Sequence, residues 1–190
     1  MKTIVITPEI KAEGEIETCN LLLKSDIERL HVRKPFASED QMRAYVEVLD
    51  SKHYDKVSLH SHHNLVDEFG LGGKHFKSYN DANGEGQQSK SFHHWDEIKV
   101  EKSLLTYGFL SPIFESISKS QYKSDFNHHK LNEALTAFDK FPIYALGGID
   151  IKKMKQIQEM NFEGVALLGT VWMESSVSRR IAKTTEILNA

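Results

Sequence analysis

The chain has 190 residues, 39% of them hydrophobic and 27% charged, with 24 basic against 27 acidic side chains and a formal net charge of -3. That balance is the composition of a folded domain; it excludes a disordered chain, and without a long run of one sign it argues against a nucleic-acid-binding surface. A lone Cys19 rules out an internal disulfide, residues 1–6 carry no signal-like apolar stretch, and no apolar run nears the ~20 residues that span a bilayer, so a cytoplasmic protein with no membrane or nucleic-acid partner is expected.

In chain order, a first strand is expected at residues 3–6. An apolar stripe at Ile16, Cys19, Leu22 and Leu23 then predicts a helix. A second strand at 29–32 is followed by Met42, Tyr45, Val46 and Leu49, spaced i, i+3, i+4, i+7. Ser38 and Gln41 stand ahead of that stripe as a capping box, in which each side chain satisfies an orphan N–H of the helix start. Further strands are expected at 56–59, 73–76, 91–92 and 105–110. Between the fourth and fifth, residues 78–89 are polar and without apolar period, and read as a loop. A helix follows on Leu131, Leu135 and Phe138, then a strand at 143–146. Asp150 caps a helix carrying Met154, Ile157 and Met160; a strand at 164–168 and a helix on Val177, Ile181 and Leu188 complete the chain.

Eight strands alternating with helices favour a parallel sheet closed on itself, a single (β/α)8 TIM barrel over residues 1–190 with a shortened fourth helix. An open doubly wound sheet is the alternative. In a barrel, chemistry sits at the C-terminal ends of the strands, and four such ends stand out. The apolar strand through Leu110 runs into Ser111, Ser116, Ser118 and Lys119, which supply hydroxyls and a cation suited to phosphate. Gly147-Gly148 and Gly169-Thr170 follow the seventh and eighth strands, where backbone N–H groups of such barrels cradle phosphate. The second strand ends in Arg33-Lys34, adjacent cations that cannot both enter a core unpaired.

Taken together, Ser111-Pro112-Ile113-Phe114 with Ser116, Ser118 and Lys119, then Ala145-Leu146-Gly147-Gly148-Ile149, then Gly164-Val165-Ala166, resemble the thiamine phosphate synthase and thiazole tautomerase superfamily. Arg33-Lys34, the segment Gly72-Gly73-Lys74-His75-Phe76 and Ser91 fall in the same order. The resemblance implies a transferase of thiamine biosynthesis that couples a hydroxymethylpyrimidine diphosphate to a thiazole phosphate and releases pyrophosphate. Its ligands are thus phosphorylated pyrimidine and thiazole small molecules; assembly into a homo-oligomer is compatible with the sequence but not specified by it. By resemblance Arg33, Lys34 and Lys119 supply positive charge and Ser91 donates to the leaving group. Ser116 and Ser118 hold phosphate oxygens, and the backbone at Gly147, Gly148, Gly169 and Thr170 holds the thiazole phosphate. His31 stands where the family commonly has a glutamine against the pyrimidine, and His60 and Lys77 join the substrate-binding set.

Two departures accompany this resemblance. The family separates its arginine and lysine by one residue, whereas Arg33 and Lys34 are adjacent and are not expected to face inward together. The family also implies Mg2+ held by two aspartates, and the matched positions here read Ser61 and Asn80, with Asp67 and Asp81 near but unaligned. Because Mg2+ favours hard carboxylate oxygens, a synthase of the usual kind is expected to be weakened; Lys77 or a protonated His62 would replace part of the metal's charge.

Three rival readings remain. A thiazole tautomerase would, by resemblance, carry a histidine where Pro112 stands. A catalytically silent thiazole or thiamine phosphate-binding regulator would account for the lost carboxylates. A histidine-ligated metal hydrolase would draw on His60, His62, His75 and His93.

Overall fold

Eight parallel strands, β1 (Lys2–Ile6), β2 (Arg29–Val32), β3 (Val57–Leu59), β4 (Gly73–Phe76), β5 (Gln87–Phe92), β6 (Tyr107–Leu110), β7 (Ile143–Leu146) and β8 (Gly164–Leu167), pair in sequence order and close into a barrel in the computed structural model. The structure describes residues 1–83, 86–114, 128–137 and 141–190. Closure runs through β1 and β8, with Lys2 opposite Gly164 and Val5 opposite Leu167. Only glycine fits at 164, because a Cβ there would lie 2.2 Å from the Lys2 carbonyl oxygen.

The helices are α1 (Glu15–Leu23), α2 (Glu39–Glu47), α3 (Asn64–Phe69), α4 (Trp95–Glu101), α5 (His128–Ala137), α6 (Met154–Gln158), α7 (Gly169–Trp172) and α8 (Val177–Leu188). The capping box at α2 is present: Gln41 N–H donates to Ser38 Oγ at 3.2 Å, and Ser38 N–H to Gln41 Oε1 at 2.9 Å. Asp150 caps a 3-10 turn, Ile151–Lys153, that leads into α6. Between β4 and β5 a 3-10 turn, Tyr79–Asp81, is the only helical element among the described residues, in keeping with the expected shortened fourth helix. No helix among the described residues is long and apolar enough to cross a membrane.

Differences from the sequence reading are local. The fifth strand begins at Gln87 instead of residue 91, since Ser89 and Ser91 face a polar barrel interior and Gln88 is tied to Asn83 and Thr106, so hydropathy did not mark them. The sequence reading did not include α3 and α4, which bury only Leu65 and Val66 in the one and Ile98 in the other, too few apolar positions for a period. The sixth strand starts at Tyr107, because Leu105 N–H closes a 3-10 turn on Lys102 instead of extending the strand. Phe138 lies outside the described residues.

Strand alternation divides the buried residues in two. Outward-facing Val5, Leu30, Val32, Leu59, Leu110, Ala145, Val165 and Leu167 pack under the helices. Inward-facing Ile4, Ile6, Tyr107, Phe109, Tyr144 and Ala166 fill one half of the barrel. The other half is filled by polar groups, for His31, Ser58, His75 and Ser89 are buried there. Register holds them in one band: Ile6 lies opposite His31, His31 opposite Ser58, His75 opposite Ser89 and Ser89 opposite Tyr107.

Candidate active site at the C-terminal rim

A cavity of about 580 Å³ opens at the C-terminal ends of the strands. Its walls bring together residues far apart in sequence: Arg33 after β2, His60 and Ser61 after β3, Lys77 after β4, Ser91 on β5, and Gly147, Gly148, Gly169 and Thr170 after β7 and β8. Lys90 also lines it, and Glu97 is its one carboxylate among the described residues, so the wall carries more positive than negative charge.

Arg33 is fixed from two sides: its N–H donates to Thr7 Oγ1 at 2.9 Å, and its guanidinium lies 2.7 Å from Glu9 Oε1. Lys90 reaches Glu101 at 2.5 Å and lies over the Phe92 ring. After β7, Gly147 and Gly148 have φ of 95° and 65°, a left-handed turn natural to glycine. Thr170 Oγ1 donates to the Ile149 carbonyl, joining the β7 and β8 loops. Gly169 and Thr170 open α7, whose first N–H groups lack intrahelical acceptors.

The cavity floor is histidine. His60 Nε2 is 3.0 Å from His31 Nδ1, and His31 Nε2 is 2.7 Å from the Tyr107 hydroxyl. His75 stacks on His60 with ring centroids 4.0 Å apart, and its nitrogens meet Ser89 Oγ at 2.9 Å and Ser91 Oγ at 3.2 Å. Burial pushes His75 down to about 3 and lowers His31 and His60 well below the usual imidazole value. A neutral imidazole has one N–H and one lone pair, so one of the two serines donates to His75 and the other accepts.

Several residues named from sequence fall elsewhere. Lys34 does not reach the cavity: alternation turns it toward α1, where its ammonium lies 2.7 Å from Glu15 Oε1. His31 lies beneath the floor, fully buried, and does not line the cavity as a pyrimidine contact would. His62, with a positive φ of 54°, meets the Ala37 carbonyl 2.8 Å away and does not line the cavity. Asn80 is exposed away from the cavity, its N–H donating to Ser78 Oγ. Ser116, Ser118 and Lys119 lie outside the described residues. Of the residues that sequence reasoning missed, Lys90 alternates with Ser89 and Ser91 and turns outward to Glu101, so strand parity does not mark it as part of the wall. Glu97, on the helix after β5, is marked only by that rim position, whereas His93, on the loop before it, belongs to the histidine set read from the sequence.

The family model for thiamine monophosphate synthase matches residues 90–171, which run from β5 to α7 and include the Ser91, Gly147-Gly148 and Gly169-Thr170 walls. A thiamine phosphate pyrophosphorylase from Bacteroides thetaiotaomicron superposes on the whole chain with a TM-score of 0.85, at 26% identity and over 96% of its own length. The chain thus resembles thiamine monophosphate synthases from β5 to α7, and its whole fold resembles that of a thiamine phosphate pyrophosphorylase. The thiamine-phosphate synthase of Latilactobacillus sakei is 27% identical to this chain over 81 residues, 43% of this chain and 36% of that protein, so the match spans about a third of that relative's length. The thiamine phosphate pyrophosphorylase of Pyrococcus furiosus, 15% identical, shares the fold over 99% of this chain and 95% of its own with a TM-score of 0.76.

The resemblance implies Mg2+, and the described residues at the matched positions offer no carboxylate pair for it. Ser61 Oγ is buried with no hydrogen-bond partner among the described residues, yet it is a neutral single oxygen; Asn80 is outside the cavity, and Glu97 alone is no carboxylate pair.

Proposed function

We propose that the protein couples a hydroxymethylpyrimidine diphosphate to a hydroxyethylthiazole phosphate, releasing pyrophosphate. The observation that carries this reading is the convergence of Arg33, Lys77 and Ser91 with the Gly147–Gly148 turn and the start of α7 at Gly169 and Thr170 on one donor-rich cavity. In the reaction, the bond between the pyrimidine methylene and the diphosphate oxygen breaks and the electron pair leaves with the diphosphate. The lone pair of the thiazole nitrogen then forms the new C–N bond. The chain's part is electrostatic, since fixed cations and donors lower the energy of charge building on the leaving oxygen. Arg33, Lys77 and Ser91 serve the leaving diphosphate, and the resemblance adds Ser116, Ser118 and Lys119. The N–H groups at Gly148, Gly169 and Thr170 serve the thiazole phosphate. Pro112, which cannot move a proton, occupies the place of the tautomerase histidine, and this favours coupling over tautomerisation.

Incubating the purified protein with both substrates tests the reading. Thiamine phosphate and pyrophosphate are expected in equal amounts; absence of both products, with either ligand still binding, would convert the assignment to a binding protein.

A further inference from the structure

We propose that His31, His60 and His75 form a binding site for a single transition-metal dication of the zinc class, with an open coordination position facing the cavity. The three come from consecutive strand positions on the inward face: His31 on β2, His60 just after β3 and His75 on β4. One ring nitrogen from each lies within 4.8 Å of those of the other two. Tetrahedral geometry with Zn–N bonds of ~2.0–2.1 Å implies nitrogens roughly 3.4 Å apart. His31 already stands edge-on to both partners, and closing the set requires the stacked His60 and His75 rings, 4.0 Å apart, to turn away from one another.

The surroundings are those of a metal site. Ligating histidines are held by a hydrogen bond at the second ring nitrogen, which fixes tautomer and direction. Here Tyr107 holds His31 Nε2 at 2.7 Å and Ser89 holds His75 Nδ1 at 2.9 Å, and an ion would replace the contacts that His31 Nδ1 makes with His60 Nε2 at 3.0 Å and His75 Nε2 makes with Ser91 Oγ at 3.2 Å. His60 and His75 line the cavity while His31 does not, so two ligands reach up to the wall and one anchors from below. The fourth position therefore opens to the cavity, beside the unpartnered Ser61 Oγ, where water or an oxygen of an anionic ligand completes the shell. Three imidazoles and no carboxylate select borderline metals such as Zn2+ and Co2+ and disfavour Mg2+. The site lies in the N-terminal half, ahead of the segment 90–171 that carries the family match. It stands whether or not the coupling reaction does.

Titrating the EDTA-stripped full chain with ZnCl2 against a chromophoric chelator tests it, with Co2+ absorption reporting the ligand field. Expected are one Zn2+ per chain, a nitrogen-ligated four- or five-coordinate Co2+ spectrum, and no competition from equimolar Mg2+. His60→Gln, which changes only a half-buried side chain, should abolish stoichiometric binding; Tyr107→Phe should weaken it by about 10–100-fold, as loss of a ligand-orienting partner does. Circular dichroism confirms that each variant is folded, and His75→Gln serves if one is not. No binding to the wild type, or binding unchanged in both His60→Gln and His75→Gln, would overturn the site.

Discussion

The Lys34 ammonium lies 2.7 Å from Glu15 Oε1, with the lysine side chain 8% exposed and the glutamate not at all. The pair sits outside the barrel, between β2 and α1. Tyr45 donates to the same carboxylate oxygen at 2.5 Å, the Ala12 N–H donates to the other oxygen at 2.8 Å, and Lys34 also donates to the Pro8 carbonyl. Removing one partner of a buried ion pair leaves the other charge in low dielectric, at a cost of about 3–5 kcal/mol. Lys34→Met should therefore lower unfolding stability by that amount in urea melts. The double variant Lys34→Met with Glu15→Leu should recover most of the loss. Because Lys34 is off the cavity, the folded single variant should keep its turnover; a selective loss of turnover at full stability would return this lysine to the reaction.

The same cluster sets an alkaline limit. Burial raises the Cys19 thiol from 9.0 to about 12, and raises Tyr45 far above its usual 10.0. Between those values the unfolded chain releases protons that the folded chain retains. Stability is thus complete below pH 9 and falls as pH rises toward 12, by up to roughly 1.4 kcal/mol per pH unit for each group. Urea melts at successive pH values should show this fall, shallower in Cys19→Ala. The buried thiol should also resist alkylation in the native protein at pH 8 and react once unfolded; rapid native labelling would contradict its burial.

Much of the architecture was legible because β1, β2, β4 and β7 are buried runs bounded by turns, and because Ser38, Gln41 and Asp150 mark helix starts by side-chain chemistry. What was not legible depends on the barrel's inside. Its polar half made β5 look like loop, and the grouping of His31, His60 and His75 follows from register across three strands, which no local spacing displays. The rim positions of Arg33, Ser91 and the glycine turns were readable from their places after strands. The opposite fates of Arg33 and Lys34 follow from alternation: two neighbours on a strand cannot share a face.

Arg33 should matter for rate and little for stability. Its ion pair with Glu9 is more than a third exposed on each side, 37% and 34%, and surface pairs of this kind contribute about 0–1 kcal/mol. A fixed donor aimed at developing charge contributes about 10²–10³-fold to rate. Arg33→Gln should thus lower kcat for coupling by about 10²-fold with a melting temperature close to wild type. An unchanged kcat would place the leaving diphosphate elsewhere in the cavity.

Gly147 offers the sharpest test of the thiazole phosphate site. At φ 95° its backbone is open to glycine alone, and a Cβ would lie 2.9 Å from Pro112 Cα, a backbone atom that cannot step aside cheaply. Gly147→Ala should cost about 1–3 kcal/mol of stability through that strain. The displacement passes along the loop to Gly148 and the N–H groups facing the cavity. KM for the thiazole phosphate should therefore rise, while KM for the pyrimidine diphosphate, held by Arg33 and Ser91, stays near wild type. Steady-state kinetics with each substrate varied in turn reads the asymmetry; equal rises in both KM values would mean that the two anions share one set of donors.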